Sequence, residues 1–371
     1  MRADIRIPLR RKFLYAGIIV VLLLVVCEGA LRVRAWMKYG SAAAGVRDPM
    51  LEYDAAADLW VPKPGYEVKG ANIHIKINAR GFRGEDFSVP KPPGTFRIVC
   101  LGASTTFAAE ASSNEAVWTH RLQEILRAAH PGRRIEVINA AVGGYVAADN
   151  LKNLQHRVLP LDPDLVIYYE ANNEIVRDTQ ELAIRAGLIG AEGRRQPAWV
   201  STLSKVSLMF DLAYKNLAIA ARSRDTSSPR IDRIPRELPS RFIGVLDQMR
   251  ATLAERHVPL VLSTFVVKYR RDQEDRQTQI RNADVAFYYM PWMSIDGMLD
   301  AMDTYNQAIL DYGRRSGAPV IDDRASIPPD AEHFTDCMHL ADKGNEAMAQ
   351  RFYRGLRGLK LLGTISAGGG G

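Results

Sequence analysis

Short apolar runs alternate with segments of helical periodicity along most of this chain. The runs lie at 97–101, 135–139, 164–169, 258–265 and 318–322. Between them, apolar residues recur at spacings of three and four, as in the series Trp118, Leu122, Ile125, Leu126 and Ala129. Continuous apolar strands that are separated by helices form a parallel sheet buried on both faces. The pattern therefore predicts an α/β fold, a three-layer α/β/α sandwich around a parallel sheet.

Two segments depart from this alternation. Residues 32–95 are interpreted as a linker and leading subdomain, in which the stretch "NIHIKIN" at 72–78 predicts one short strand or hairpin. Residues 176–239 hold no predicted strand and are interpreted as a helical insertion, which could form part of a lid or pocket wall. The main domain is thus predicted to extend over 96–361, followed by a flexible tail at 362–371.

The beginning of the chain is basic and then strongly apolar. A basic tail at 1–12 precedes a segment at 13–31 that is predicted to be a transmembrane anchor or a signal segment. The apolar run ends at Cys27, short of the about 20 residues of a bilayer span, but it extends further if Glu28 lies at the interface. We favour one uncleaved transmembrane helix because no small-x-small cleavage site follows. The simplest topology places the basic tail inside and the large domain on the extracytoplasmic, periplasmic side.

Composition and charge narrow the classes of partner. The chain has 371 residues, of which 47% are hydrophobic and 25% charged, as in an ordinary globular protein. The net charge of +7 comes from 49 basic and 42 acidic residues, a mild excess with no nucleic-acid-binding motif, so no nucleic-acid partner is expected. Cys27, Cys100 and Cys337 give neither a disulfide framework nor a CxxC metal site. A Cys100–Cys337 disulfide is conceivable, although two separate thiols are favoured, and the oligomeric state is left open.

Small residues and hydroxyls follow the first predicted strand of the sheet. In open α/β sheets, ligands bind beyond the carboxyl ends of the strands, and Ser104 lies just past such an end. Gly102 and Ala103 are small enough to let the chain turn tightly and a substrate approach. Ser104 is therefore a candidate nucleophile, with helix N-capping as the alternative interpretation.

A nucleophilic serine needs a base, an acid that orients the base, and donors for the developing oxyanion. Of the seven histidines, only His333 and His339 lie in the loop after the last predicted strand. Asp336 and His339 could bring a carboxylate and an imidazole to the same sheet edge. Spacing alone does not establish this, because Asp-x-x-His is also typical of exposed loop pairs.

Candidate oxyanion donors follow the second and third predicted strands. Gly143 and Gly144 could present a backbone N–H, and their alternative role is a left-handed turn. Asn172 or Asn173 could donate from a side-chain amide, and their alternative role is helix capping. Each signal is weak alone, but their placement after successive strands favours one shared site.

These segments resemble the four sequence blocks of the SGNH (GDSL-type) hydrolases. "LGASTTF" resembles the Gly-Asp-Ser block, "NAAVGG" the glycine block, "YYEANNE" the Gly-x-Asn-Asp block and "DCMH" the Asp-x-x-His block. Order and strand placement agree over about residues 97–361. Ala103 replaces the usual Asp, Glu170 and Ala171 replace glycines, and Asn173 stands where the family has Asp.

The resemblance implies a flavodoxin-like SGNH hydrolase fold and a serine esterase. It implies Ser104 as nucleophile, His339 as general base and acid, and Asp336 as the residue that orients the imidazole. The Ser104 N–H, the Gly144 N–H and the Asn172 side chain would form the oxyanion hole, although the choice between the two asparagines of the third block stays open. No metal ion and no organic cofactor are required.

Together with the N-terminal segment, the resemblance predicts a membrane-anchored extracytoplasmic serine esterase. Its substrate would be an ester-bearing glycan, lipid or small ester, and deacylation of cell-envelope or exopolysaccharide glycans is one such use. Two alternatives stay open: an O-acyltransferase acting on envelope sugars, and a non-catalytic carbohydrate-binding scaffold of the same fold. The aromatic and methionine cluster at 287–293 either lines an acyl or glycan pocket or packs in the core.

Overall fold

The computed structural model describes residues 8–39, 50–192, 197–224, 229–273 and 275–362. Most of the predicted basic tail, residues 40–49 of the predicted linker and residues 363–371 of the predicted flexible tail lie outside this part of the chain.

A sheet of five parallel strands forms the centre of the molecule. The strands are β5 (Thr95–Gly102), β6 (Arg134–Asn139), β7 (Leu165–Tyr169), β8 (Leu260–Ser263) and β9 (Val320–Ile321), in the spatial order β6-β5-β7-β8-β9. Their register pairs Val99 with Ile138 on one side and with Val166 on the other. Each of the five apolar runs in the sequence forms one of these strands, so the predicted parallel α/β sheet is confirmed.

Helices connect and flank the strands. They are α1 (Leu9–Tyr39), α2 (Ser104–Phe107), α3 (Trp118–Ala129), α4 (Ala147–Asn153), α5 (Asn172–Arg185), α6 (Ala198–Val206), α7 (Leu208–Arg224), α8 (Ser240–Ala254), α9 (Arg276–Asn282), α10 (Asp284–Tyr289), α11 (Ile295–Ser316) and α12 (Asp342–Gly358). A π-helical turn at Leu154–Val158 and 3₁₀ turns at Leu159–Leu161 and Arg324–Ser326 complete the set.

Two adjacent tyrosines of β7 show how the three layers pack. Successive side chains of a strand point to opposite faces of the sheet. The ring of Tyr169 lies 5.9 Å from that of Phe352 in α12, which stacks at 4.5 Å on Trp118 of α3. Tyr168 on the other face lies 6.3 Å from Phe242 of α8. Both faces of the central strand are therefore covered by helices, as the continuous apolar runs require.

The segment before the sheet contains two hairpins, where the sequence predicted only one strand or hairpin. β1 (Leu51–Asp54) pairs with β2 (Leu59–Pro62), and β3 (Glu67–Lys69) pairs with β4 (His74–Lys76), both antiparallel. The first hairpin was missed because no alternating stretch as long as the one at 72–78 surrounds its strands. It is stabilised by tertiary contacts, including a 2.7 Å hydrogen bond from the hydroxyl of Tyr145 to the carbonyl of Trp60.

Helices form the N-terminal segment and part of the segment predicted as an insertion. Helix α1 includes the stretch Leu9–Met37, which is long and apolar enough to cross a membrane and has no buried residues. Between 176 and 239, the helical residues among those described belong to the end of α5 and to the helices α6 and α7.

Two questions left open by the sequence are answered by the core. Cys100 and Cys337 are both buried free thiols, so no disulfide joins them. In the cluster at 287–293, Phe287, Met290 and Trp292 are buried, and the indole N–H of Trp292 donates to the hydroxyl of Thr179 in α5. Most of this cluster therefore packs in the core.

Candidate active site

The first part of the candidate site is the turn at the end of β5. A Cβ atom on Gly102 would lie 2.4 Å from Thr106 Oγ1 and 2.5 Å from the carbonyl oxygen of Tyr169. The Thr106 hydroxyl also donates to that carbonyl at 3.1 Å. Only glycine fits between these groups, so the chain can turn tightly and begin α2 with Ser104 at the carboxyl edge of the sheet.

Two buried asparagines hold this turn from neighbouring elements. Asn150 in α4 accepts a hydrogen bond from the Gly102 N–H at 3.1 Å. Asn139 at the end of β6 donates to the Thr106 carbonyl at 2.7 Å. Sequence reasoning did not identify either residue, since the only signal was a polar side chain beside an apolar run. Their contacts fix the backbone from which Ser104 projects.

The structure brings together three side chains from opposite ends of the domain. Nε2 of His339 lies 2.9 Å from Oγ of Ser104, and Nδ1 of His339 lies 2.7 Å from Oδ2 of Asp336. A carboxylate only accepts hydrogen bonds, so the ring proton belongs on Nδ1, and Nε2 is left to accept from the Ser104 hydroxyl. Oδ1 of Asp336 accepts the backbone N–H groups of Met338 and His339, both at 2.8 Å.

The electrostatics of the pair favour an ionised carboxylate and a basic imidazole. Burial raises the pKa of Asp336. The hydrogen bond and charge of His339 and two backbone N–H groups lower it by a larger amount, so the net pKa is below its usual range. Burial lowers the pKa of His339, but the hydrogen bond and charge of Asp336 outweigh it, so the net pKa is raised. Asp336 therefore stabilises the imidazolium form of His339.

Three N–H groups lie just past the carboxyl ends of β5, β6 and β7. A Cβ atom on Gly143 would lie 4.0 Å from Cβ of Ser104, which places the glycine loop against the serine, and Gly144 has a positive φ of 85°. Within the described ranges, the backbone N–H groups of Ser104 and Gly144 donate to no protein acceptor. The amide nitrogen of Asn172 likewise has no partner there, while its Oδ1 is buried without one.

The side-chain amides of Asn172 and Asn173, the two asparagines of the third block, differ in their hydrogen-bond partners. The side-chain amide of Asn173 donates to the carbonyl of Tyr145 at 3.0 Å, and its backbone N–H donates to Glu170 at 2.6 Å. Asn173 is therefore engaged in holding the start of α5, whereas the Asn172 amide nitrogen is available to a ligand.

Glu170, which stands where the family has glycine, is fully buried at the end of β7. Burial and the charge of Glu174 raise its pKa well above the usual range. One of its carboxyl oxygens accepts the Asn173 N–H, and the other has no partner in the described part of the chain. The sequence showed Glu170 only as a departure from the pattern, with no sign that it supports the loop carrying Asn172.

A model of the GDSL-like lipase/acylhydrolase family matches residues 100–347. The match covers the turn at Ser104, the glycine loop, the two asparagines and the Asp336–His339 turn. No curated protein matches the chain in sequence.

Several solved structures have a similar fold. A lipolytic protein of the G-D-S-L family from Desulfitobacterium hafniense is 14% identical, with a TM-score of 0.41 over 70% of this chain and 99% of that chain. A variant of an acetyl xylan esterase from Geobacillus stearothermophilus is 14% identical, with a TM-score of 0.43 over 71% and 96%. A lipase/acylhydrolase from Enterococcus faecalis is 17% identical, with a TM-score of 0.41 over 71% and 96%.

Proposed function

The chain belongs to the GDSL-like lipase/acylhydrolase family of ester-bond hydrolases, and we propose that it is a membrane-anchored serine esterase whose catalytic residues are Ser104, His339 and Asp336. The observation that carries this proposal is the continuous hydrogen-bonded series from the Ser104 hydroxyl through both ring nitrogens of His339 to the Asp336 carboxylate. Its three members come from the end of β5 and from the loop before α12, so only the folded sheet edge brings them together.

In the first half of the reaction, Ser104 Oγ attacks the carbonyl carbon of the ester. His339 Nε2 takes the hydroxyl proton, and Asp336 stabilises the resulting imidazolium. The tetrahedral intermediate collapses when the bond to the alcohol oxygen breaks, and His339 returns the proton to that oxygen. The alcohol leaves, and the acyl group stays on Ser104 as an ester.

In the second half, water replaces the alcohol. His339 Nε2 removes a proton from the water, whose oxygen attacks the acyl carbon of the Ser104 ester. Collapse of the second tetrahedral intermediate breaks the bond to Ser104 Oγ, which regains its proton from His339. The products are a carboxylic acid and the free enzyme.

The oxyanion of both intermediates is held by the Ser104 N–H, the Gly144 N–H and the Asn172 side-chain amide. The support for this assignment is that these donors have no protein acceptor within the described ranges and follow the carboxyl ends of the neighbouring strands β5, β6 and β7. Removal of one such donor in other acyl-transfer enzymes costs about 3 to 4 kcal/mol. Asn172 is the member that substitution can test directly.

The proposed location of the enzyme rests on α1. Its apolar stretch is long enough for a bilayer span, and the chain before it is basic. We assign it as an uncleaved anchor that holds the hydrolase domain on the periplasmic side. Ester-bearing cell-envelope or exopolysaccharide glycans are then within its reach.

Substitution of Ser104 tests the proposal. In full-length protein purified in detergent, Ser104→Ala is expected to lower kcat for a short p-nitrophenyl ester on the order of 10⁶-fold, because it removes the nucleophile. A fluorophosphonate probe is expected to label the wild-type chain stoichiometrically at Ser104 and to leave the variant unlabelled.

The matched control is Ser112→Ala, which removes an exposed hydroxyl in the following loop and is expected to leave turnover unchanged. Turnover by a correctly folded Ser104→Ala variant at the wild-type rate would rule out the assigned nucleophile.

A further inference from the structure

Helix α1 contacts the segment between α6 and α7 through one acidic side chain. The carboxylate of Glu28 accepts hydrogen bonds from the N–H groups of Leu208 and Met209, both at 2.9 Å, and from the Ser207 hydroxyl at 2.9 Å. The first N–H groups of a helix have no partner within the helix, and a carboxylate also complements the positive end of the helix dipole. Glu28 therefore caps the beginning of α7.

A second contact extends this junction to α6. Arg32 pairs with Glu28 at 2.7 Å, one turn away on the same face of α1, and it donates to the carbonyl of Val206 at 2.8 Å. Val206 is the last residue of α6. The end of α6 and the start of α7 are thus held together against α1.

The position of Glu28 along α1 determines the depth of the α6–α7 turn relative to a bilayer that α1 spans. Glu28 is the first charged residue after the apolar run that ends at Cys27. Charged side chains of membrane helices lie at the edges of the hydrocarbon layer or pair with polar groups. Glu28 does both if α1 spans a bilayer, since it ends the apolar run and caps α7. The turn between α6 and α7 would then lie at the level of the lipid headgroups.

Helix α6 presents an apolar face that is largely exposed, with one ring contact from Trp199 to Phe210 of α7. The exposed fractions of Trp199, Leu203 and Val206 are 60%, 41% and 62%. At about 100° per residue these three positions fall within an arc of about 60°. Val200 and Ser204 on another side of the helix are buried. The exposed apolar residues therefore form one stripe, which we call the α6 stripe.

The α6 stripe is unusual for the surface of this protein. Outside α1, the exposed large aliphatic side chains among the described residues are Leu203, Val206 and Leu217, and all three lie in α6 or α7. Contiguous exposed apolar surface next to a membrane-spanning helix is typical of segments that lie in the membrane interface. Trp199 at one end of the stripe is a residue type enriched at headgroup level.

We propose that α6 lies in the membrane interface beside α1, with Trp199, Leu203 and Val206 turned into the headgroup layer of the bilayer. This inference rests on the membrane anchoring proposed above. The lipid surface is the occupant of the stripe because the contacts of Glu28 and Arg32 hold the α6–α7 turn against α1 at the end of its apolar run.

Helix α7 also links this junction to the surroundings of the candidate active site. Lys215 of α7 is near enough to His339 for its charge to act on the imidazole, and its Nζ lies 5.6 Å from the ring centroid of Tyr288. Along the helix, Lys215 is about 10 Å from the capped residue Leu208, at about 1.5 Å per residue.

Spin labels on the full-length chain test the inference. In a Cys27→Ser background the two remaining thiols are buried, so a nitroxide attaches only at an introduced cysteine. Leu203→Cys reports on the α6 stripe, Lys205→Cys on an exposed position of α6 outside the stripe, and Val20→Cys on the middle of α1. Each variant is placed in nanodiscs of phosphatidylcholine and phosphatidylglycerol, and collision rates with oxygen and with a water-soluble nickel chelate are measured.

At position 203 we expect the oxygen-to-nickel collision ratio to lie between that of position 20, in the hydrocarbon, and that of position 205, in water. A ratio at position 203 equal to that at 205, with position 20 in lipid, overturns the inference and leaves the anchoring intact. A water-like ratio at position 20 overturns the anchoring and the inference together. Circular dichroism and thermal unfolding of each variant confirm that the labelled proteins are folded.

Discussion

Two turns of the same sequence pattern follow each other in the loop before α12, and only one of them faces the serine. Asp330-x-x-His333 and Asp336-x-x-His339 have the same spacing, and in both turns the aspartate accepts the N–H groups two and three residues later. In both, the carboxylate also binds Nδ1 of the histidine, at 2.8 Å in the first turn and 2.7 Å in the second.

The difference lies outside the motif. Nε2 of His339 meets the Ser104 hydroxyl at 2.9 Å, whereas no serine or other hydroxyl is bonded to His333 among the described residues. One aspartate oxygen serves all three contacts in the first turn, but in the second Oδ1 serves the backbone and Oδ2 serves the ring. A local motif can therefore build an Asp–His pair anywhere on a surface, and the tertiary position of the pair decides whether it meets a nucleophile.

The largest expected effect that separates the turns is on catalysis. Asp336→Asn is expected to lower kcat/KM for a p-nitrophenyl ester about 10⁴-fold, because the amide favours the wrong imidazole tautomer and no longer stabilises the imidazolium. Asp330→Asn makes the same chemical change in the other turn and is expected to leave kcat/KM at the wild-type value. Equal losses in the two variants would contradict the assignment of Asp336.

The pH profile of the same variants gives a second readout. The reaction needs a neutral His339, so kcat/KM should fall as the pH drops through the His339 pKa, which the wild-type enzyme holds above the ordinary 6.5. Without the Asp336 charge, burial dominates and the pKa of His339 falls. The acidic limb of Asp336→Asn is therefore expected to move to lower pH, and that of Asp330→Asn to stay in place.

A smaller effect is expected from a second pair of similar neighbours, the two asparagines at the start of α5. Asn172→Ala is expected to lower kcat about 10²- to 10³-fold, because it removes one oxyanion donor. Asn173→Ala removes the hydrogen bond to Tyr145 and is expected to cost about 1 kcal/mol of unfolding free energy, with a smaller loss of kcat. Steady-state kinetics and urea unfolding of both variants measure the difference. A greater kcat loss in Asn173→Ala would assign the donor to Asn173.

The central sheet could be predicted because the burial of its strands requires a recognisable apolar pattern in the sequence. Strands covered on both faces are apolar at nearly every position, and β7 with five buried residues is an example. The hairpin of β1 and β2 shows no such pattern, since no long alternating stretch surrounds its strands as one does at 72–78. It depends instead on contacts with residues far along the chain, such as the bond from Tyr145 to Trp60.

The residues of the candidate site could be predicted by type and position, but their support could not. Ser104 stands just past the end of a predicted strand, and His339 stands in the loop after the last one, where ligand-binding residues are expected. Asn150 and Glu170 hold the backbone near them through buried hydrogen bonds, and buried polar residues look like surface residues in a sequence. The contact of Glu28 with α7 was equally invisible, because it joins residues about 180 positions apart.

The smallest expected effect is on the stability of the turn Asp330–His333, whose histidine contacts no serine among the described residues. Asp330→Ala removes the acceptor of the Glu332 and His333 N–H groups and is expected to lower the free energy of unfolding by about 1 kcal/mol at about pH 7, as the loss of a cap does. The hydrogen bond with His333 holds the pKa of Asp330 below its usual 3.8, so this stabilisation is present above that pH and is lost as the pH falls through the lowered pKa. Urea unfolding of wild type and variant should therefore differ near neutrality and converge in strong acid, while kcat/KM stays unchanged. A difference that persists in acid would mean that Asp330 acts through something other than its charge.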